Sequence, residues 1–202
     1  MNVYVESNFV LEVALRQEQY KSCERILTIC QNGKADLVVP AFCLAEPFET
    51  LTRRSKDKKE LCQKLRTEIE QLSRSEQYKK KNVSEQFQNA VSLLARSADD
   101  SWKKLYDYLN QILKIAEIIP LDGKITSHGI KVKEEFDLSP QDSLVYSSVR
   151  SHLSNSKLNG SCFVNKNSKD FSNPDITEEL ESYSCKFFSS FDKASQYIMS
   201  QV

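Results

Sequence analysis

Apolar and polar positions along the chain form two kinds of run. Short, nearly continuous apolar stretches recur at Val3-Tyr4-Val5, Leu37-Val38-Val39, Ile118-Ile119 and Cys162-Phe163-Val164. Longer stretches between them place apolar residues three and four apart. The first kind fits strands buried on both faces, the second fits helices with one apolar face. The pattern predicts a strand over 2–5, a helix beginning at Phe9 and running to about Arg16, and a helix over 19–32 stopped by Asn32-Gly33. It then predicts a strand over 36–39 closed by Pro40, and a helix from Phe42 that carries Glu46 in its first turns. Strand, helix, strand, helix is the order of a parallel sheet.

The character changes at Arg53. Between Arg53 and Lys81 stand eleven Lys and Arg against five Asp and Glu, with no Gly or Pro. Leu61, Leu65, Ile69 and Leu72 make a thin apolar stripe, so this segment reads as a long, mostly solvated helix. A second long helix is expected over 83–116, with a break near Ser97–Ser101. Trp102, Leu105, Tyr106, Leu109, Ile112 and Leu113 fall on one wide face. The two should pair as a hairpin, because the charged helix has too little apolar surface to stand alone. Alternation then returns: a strand over 117–119, a helix over 122–136, and a helix opened by Ser139-Pro140-Gln141-Asp142, with Ser as N-cap and Pro at the first position. A strand over 161–164 with an exit loop over 165–170, an edge strand over 186–188 and a closing helix over 191–200 complete the pattern.

Composition narrows the class. Formal net charge is zero, with 28 basic and 28 acidic residues, so contact with nucleic acid has to come from local patches. Four Gly and five Pro argue for long helices and few turns. The amino terminus lacks the basic stretch of a secretory signal, and no apolar run approaches the roughly 20 residues that span a bilayer. The expectation is a cytoplasmic protein without membrane contact. The six cysteines form no C-x-x-C pair and have no His at zinc-finger spacing, so they read as reduced core thiols. His128 and His152 are the only histidines, too few for a His-based nucleophile system or zinc site.

Candidate chemistry lies in the acids. Glu6 ends the first strand and is followed by Ser7 and Asn8. Glu46 and Asp142 sit near helix starts, and Asn165, Asn167 and Asp170 follow the strand over 161–164. Strand ends and helix N-termini share one edge of a parallel sheet, which is where ligands bind in open α/β folds. Carboxylates gathered there repel one another unless a cation joins them, and a hard divalent ion takes oxygen ligands. Helix-dipole duty accounts singly for Glu46 and Asp142, and turn duty for Asn167 and Asp170, whereas Glu6, an acid closing a central strand, needs a further reason to be there.

These segments resemble a PIN domain, the nuclease fold of many bacterial type II toxins and of eukaryotic RNA-processing enzymes. Val3-Tyr4-Val5-Glu6-Ser7-Asn8 is similar to that family's opening strand with its acid–hydroxyl–Asn signature, here with Glu6 in place of the usual Asp. Val39-Pro40-Ala41-Phe42 through Glu46 is similar to the second strand and acid. Leu138-Ser139-Pro140-Gln141-Asp142 is similar to the third acid's helix start, and Phe163 through Phe171 to the final strand and its loop. The resemblance covers residues 2–54 and 117–190. It implies one α/β domain over 1–202, a three-layer α/β/α sandwich around a short parallel sheet, with a helical hairpin inserted over 55–116. It implies a metal-dependent endoribonuclease, toxin-type or RNA-processing, in which Glu6, Glu46, Asp142 and Asp170 bind Mg²⁺ or Mn²⁺ and Asn167 assists catalysis. Ser7, Asn8, Asn165, Lys79, Lys80 and Lys81 are the candidate substrate contacts. RNA is the expected partner, with an antitoxin protein or a second copy of the chain as further candidates. The alternative is a PIN-like module that no longer cleaves and binds a protein or RNA partner through the insertion.

Overall fold

The structure is a computed structural model. It describes residues 1–79, 83–156, 160–167, 171 and 173–202, and for residues 79 and 83–86 the backbone only. The amino-terminal strand β1 (Asn2–Val5) is buried on both faces, as its unbroken apolar run requires. It pairs in parallel with β2 (Asp36–Pro40) on one side and β4 (Ser161–Val164) on the other. β3 (Ala116–Ile119) extends the β2 side and β5 (Cys185–Phe188) the β4 side, giving a parallel sheet of order β3-β2-β1-β4-β5. The chain leaves β1 toward β2 and later crosses back to β4. The point where the order reverses therefore lies between the carboxyl ends of β1 and β4, the usual ligand crevice of such sheets.

Helices cover both faces. α1 (Ser7–Leu15) and α2 (Tyr20–Gln31) follow β1 and pack with the last helix, α9 (Phe191–Gln201). Phe9 and Phe191 meet edge to face at 5.6 Å in that layer. α2 stops by the mechanism its sequence signalled. Gly33 adopts φ 68°, and the N–H groups of Gly33 and Lys34 return to the carbonyls of Cys30 and Ile29, which satisfies two free carbonyls of the last turn. The other layer holds α6 (Gly123–Phe136), α7 (Pro140–Asn155) and α8 (Pro174–Ser182). Tyr4 and its register partner Phe163 face that layer, and Phe163 continues an aromatic cluster through Phe171 to Tyr146. At Gly129 of α6 an added Cβ would lie 3.0 Å from Leu144 Cδ2, so this glycine sets how closely α6 and α7 approach.

Two long helices, α3 (Ala41–Ser73) and α5 (Val83–Ile115), with the short α4 (Glu76–Lys79) between them, carry the chain through the basic segment. Contacts divide the described residues into two compact units. One comprises Met1–Pro47 with Asp107–Val202, and the other is Phe48–Tyr106. Pro47 lies inside α3 at that division, where it removes one helical N–H.

Within the second unit the helices run side by side in opposite directions. Trp102 Nε1 donates to Ser55 Oγ at 3.1 Å, Lys58 Nζ donates to Ser97 Oγ at 2.9 Å, and Cys62 lies against the Val91 carbonyl. The packed seam is Leu51, Cys62 and Ile69 against Val91, Ala98 and Leu105. Leu61 and Leu72, which the sequence assigns to the stripe, are exposed. The expected break near Ser97–Ser101 is absent. Ser97 and Ser101 donate their hydroxyls to the carbonyls of Leu94 and Ser97, so they are absorbed into a continuous helix. All six cysteines are buried and unpaired, five in the first unit and Cys62 in the second. No helix among the described residues is long and apolar enough to cross a membrane.

Candidate active site at the carboxyl edge of the sheet

The register of the central strands sets the site. Val5 pairs with Val164, so Glu6 and Asn165 are the next residues out on adjacent strands. α1 begins at Ser7 directly after Glu6, which leaves no loop to carry that carboxylate into solvent. Glu6 is the N-cap of α1: its Oε2 accepts the Asn8 N–H at 2.9 Å. Its second oxygen, Oε1, is buried and has no hydrogen-bond partner among the described residues. A buried carboxylate oxygen without a donor is costly, and such a group needs a reason to persist. Burial raises the Glu6 carboxyl to about 8. The Asn8 backbone and side chain oppose that rise, while Glu46 and Asp142 add to it by like-charge repulsion.

Glu46 and Asp142 are thus close enough to Glu6 to act on its charge. Glu46, in the second turn of α3, accepts a hydrogen bond from the Ser7 hydroxyl through Oε2. Asp142 stands in the first turn of α7, where Ser139 serves it twice. Ser139 Oγ accepts the Asp142 N–H at 3.1 Å and donates to Asp142 Oδ2 at 2.6 Å. Asn167 Nδ2 also reaches Asp142 Oδ2, at 3.4 Å, and the Asn167 N–H donates to Asn165 Oδ1 at 2.8 Å. Asn165 is itself buried, and its N–H is held by the Phe188 carbonyl. The exit loop of β4 thus links β5 to the start of α7 through two asparagines.

Glu6, Ser7, Asn8, Glu46, Asp142, Asn165 and Asn167 therefore all lie at the carboxyl edge of the sheet. Asp170, Lys80 and Lys81, with the side chain of Lys79, lie outside the described residues. Among the described residues no three Asp, Glu, His or Cys side chains close on one point as metal ligands. Glu46 is turned to the Ser7 hydroxyl and Asp142 to the Ser139 hydroxyl.

Three neighbours escaped the sequence reading. Ser139 was legible as a cap but not as a donor to Asp142. Glu12 is buried on α1, and Lys166 reaches its Oε2 at 3.2 Å, tying the β4 exit loop to α1. The signal for Glu12 was an acid set among Phe9, Val10, Leu11, Val13 and Ala14. Cys43 lies against Ser7, Glu6 and Glu46, and burial pushes its thiol well above its ordinary value, so it stays protonated.

A family model of the PIN domain matches residues 3–171. No curated protein sequence matches the chain. Among solved structures, it is similar to a chain of the VapBC2 complex of Rickettsia felis, bound to a DNA fragment from the complex's own promoter. The two share 15% identity with a TM-score of 0.46, over 93% of this chain and 99% of that one.

Proposed function

Because this chain belongs to the PIN domain family, whose members are generally nucleases, we propose that it is a metal-dependent endoribonuclease with its site at Glu6, Glu46 and Asp142. The observation that carries the reading is the Glu6 carboxylate, buried between the ends of β1 and β4 with one oxygen lacking a donor and two further acids in its field. The donor set suits a hard divalent cation: carboxylate oxygens with a neighbouring amide. Glu6, Glu46 and Asp142 would hold Mg²⁺ or Mn²⁺, with Asp170 as the further candidate ligand. When bound, such an ion supplies Lewis-acid activation of water and of the phosphodiester.

The chain's own residues do the positioning. Asn8 fixes the free rotamer of Glu6, Ser7 holds Glu46, and Ser139 with Asn167 holds Asp142. The β4 exit loop, braced by Asn165 and by the Lys166–Glu12 pair, keeps Asn167 over that carboxylate. Lys79, Lys80 and Lys81 supply positive charge for the RNA backbone. No side chain acts as nucleophile.

The test is Asp142→Asn, which keeps the size and the helix start but removes one charge. Cleavage of single-stranded RNA in Mn²⁺ should fall by a factor of about 100 or more, the scale of losing one stabilising group for developing charge. Mn²⁺ affinity should fall with it, and the thermal transition in EDTA should stay sharp. Cleavage at the wild-type rate would remove Asp142 from the site. A wild-type protein that binds no Mn²⁺ and cleaves no RNA would favour a binding module instead.

A further inference from the structure

Away from the acidic edge, a surface cleft of about 320 Å³ opens between α6, the second half of α7 and the end of α8. Two buried polar atoms beside it have no hydrogen-bond partner among the described residues: Ser147 Oγ and Arg150 Nη1. Ser143, Ser148 and Ser154 each return their hydroxyl to a backbone carbonyl of α7, whereas Ser147, fully buried, does not. Arg150 is fixed from behind, because its Nε donates to Glu179 Oε1 at 2.7 Å and Glu179 also accepts the Tyr146 hydroxyl. Glu135 Oε2 is 4.0 Å from Nη1, beyond hydrogen-bond range. The guanidinium is thus held in place with one donor nitrogen unanswered.

Two donors left unanswered beside one cleft ask for an acceptor. Lys124 and His128 of α6 line the same cleft, as does Ser151, and no acidic side chain does. Among the described residues neither Lys124 nor His128 has an ion-pair partner. We propose that this cleft is an oxyanion site that takes a terminal phosphate, with Ser147, Arg150 and His128 donating to its oxygens and Lys124 supplying charge. Glu179 and Glu135 offset part of the positive charge, so inorganic phosphate should bind in the millimolar range. The phosphate can come from a free nucleotide or from the end of an RNA strand. The site does not depend on the nuclease reading, since none of its residues belongs to the acidic edge.

The two histidines make the test direct, because one lines the cleft and the other, His152, is engaged by Tyr4 and Glu117. Imidazole resonances of the full chain are followed while inorganic phosphate is titrated in at fixed pH and ionic strength, with chloride as the control. The His128 signal should shift saturably and much more than that of His152. Ser147→Ala and the surface change Lys124→Ala should each weaken binding by about tenfold, the loss of one charge-assisted contact. Both variants should keep the wild-type thermal transition. Adenosine 5′-monophosphate against adenosine, and a 5′-phosphorylated against a 5′-hydroxyl oligoribonucleotide, separate the two sources. Tighter binding of the phosphorylated strand than of the mononucleotide assigns the RNA end, and equal binding assigns the free nucleotide. A His128 signal that follows chloride as well as phosphate overturns the site and leaves the cleft to ordered water. Unchanged affinity in the folded Lys124→Ala protein overturns it too.

Discussion

Glu6 shows what burial does to a single carboxyl group. Its folded value of about 8 lies above the ordinary carboxylate range, chiefly through burial and secondarily through Glu46 and Asp142. Between roughly pH 4.5 and 8 the folded chain keeps a proton that the unfolded chain has released. This group's contribution to stability is therefore full below about pH 4.5 and is lost as pH rises through about 8. In EDTA, wild-type stability should decline across that window with a slope of up to about 1.4 kcal/mol per pH unit from this residue. Glu6→Gln should flatten the decline, and Mg²⁺ or Mn²⁺ should reduce it in the wild type. Chemical denaturation at a series of pH values measures both, and parallel profiles for the two proteins would contradict the assignment. Residues of this kind were only partly legible. An acid closing a buried strand could be singled out from the chain alone. Its orphaned oxygen, and the second task of Ser139, depend on neighbours that only the fold supplies.

At the scale of elements, α6 and α7 depend on Gly129. Replacing it with Ala gains about 1 kcal/mol of helix propensity but places a methyl 3.0 Å from the movable end of Leu144. The two effects should nearly cancel. Gly129→Val adds bulk that Leu144 cannot clear and should cost about 1–3 kcal/mol. Denaturation midpoints decide it, and a Val variant as stable as wild type would show that the helices are free to separate. The strands were legible because runs such as Val3-Tyr4-Val5 are buried on both faces and tolerate no other periodicity. α8 escaped because Pro174–Ser182 buries only Ile176 and Leu180 in an acidic segment whose Asn173-Pro174 start also reads as a turn. The long helices were legible as helices, but not their seam. Leu61 and Leu72 fall at helical spacing, yet the partner helix meets the line through Leu51, Cys62 and Ile69.

For the whole molecule, a net charge of zero conceals a division. The unit Phe48–Tyr106 carries fourteen Lys and Arg against nine Asp and Glu, a surplus of five, and the remaining residues carry the matching deficit. RNA binding should therefore depend steeply on salt despite the neutral total. Neutralising Lys79, Lys80 and Lys81 together should lower the slope of log affinity against log salt by about 2, at roughly 0.7 per phosphate contact on a single strand. Filter binding of a cleavage-deficient Asp142→Asn protein across a salt series measures it. An unchanged slope would return these lysines to a merely solvated role.

The cysteines described with the fold carry a different consequence. Each is buried and free, so the native chain should resist thiol alkylation, and any reaction reports that the surrounding structure has opened. Five of these reporters sit in the sheet-bearing unit and Cys62 sits alone in the helical one. The seam around Cys62 is thin, and thinly packed segments open at lower free energy than the rest of a fold. In low urea, timed alkylation followed by mass spectrometry should modify Cys62 well before Cys23, Cys43 or Cys162. Six thiols reacting at one rate would mean that the chain comes apart as a single cooperative body.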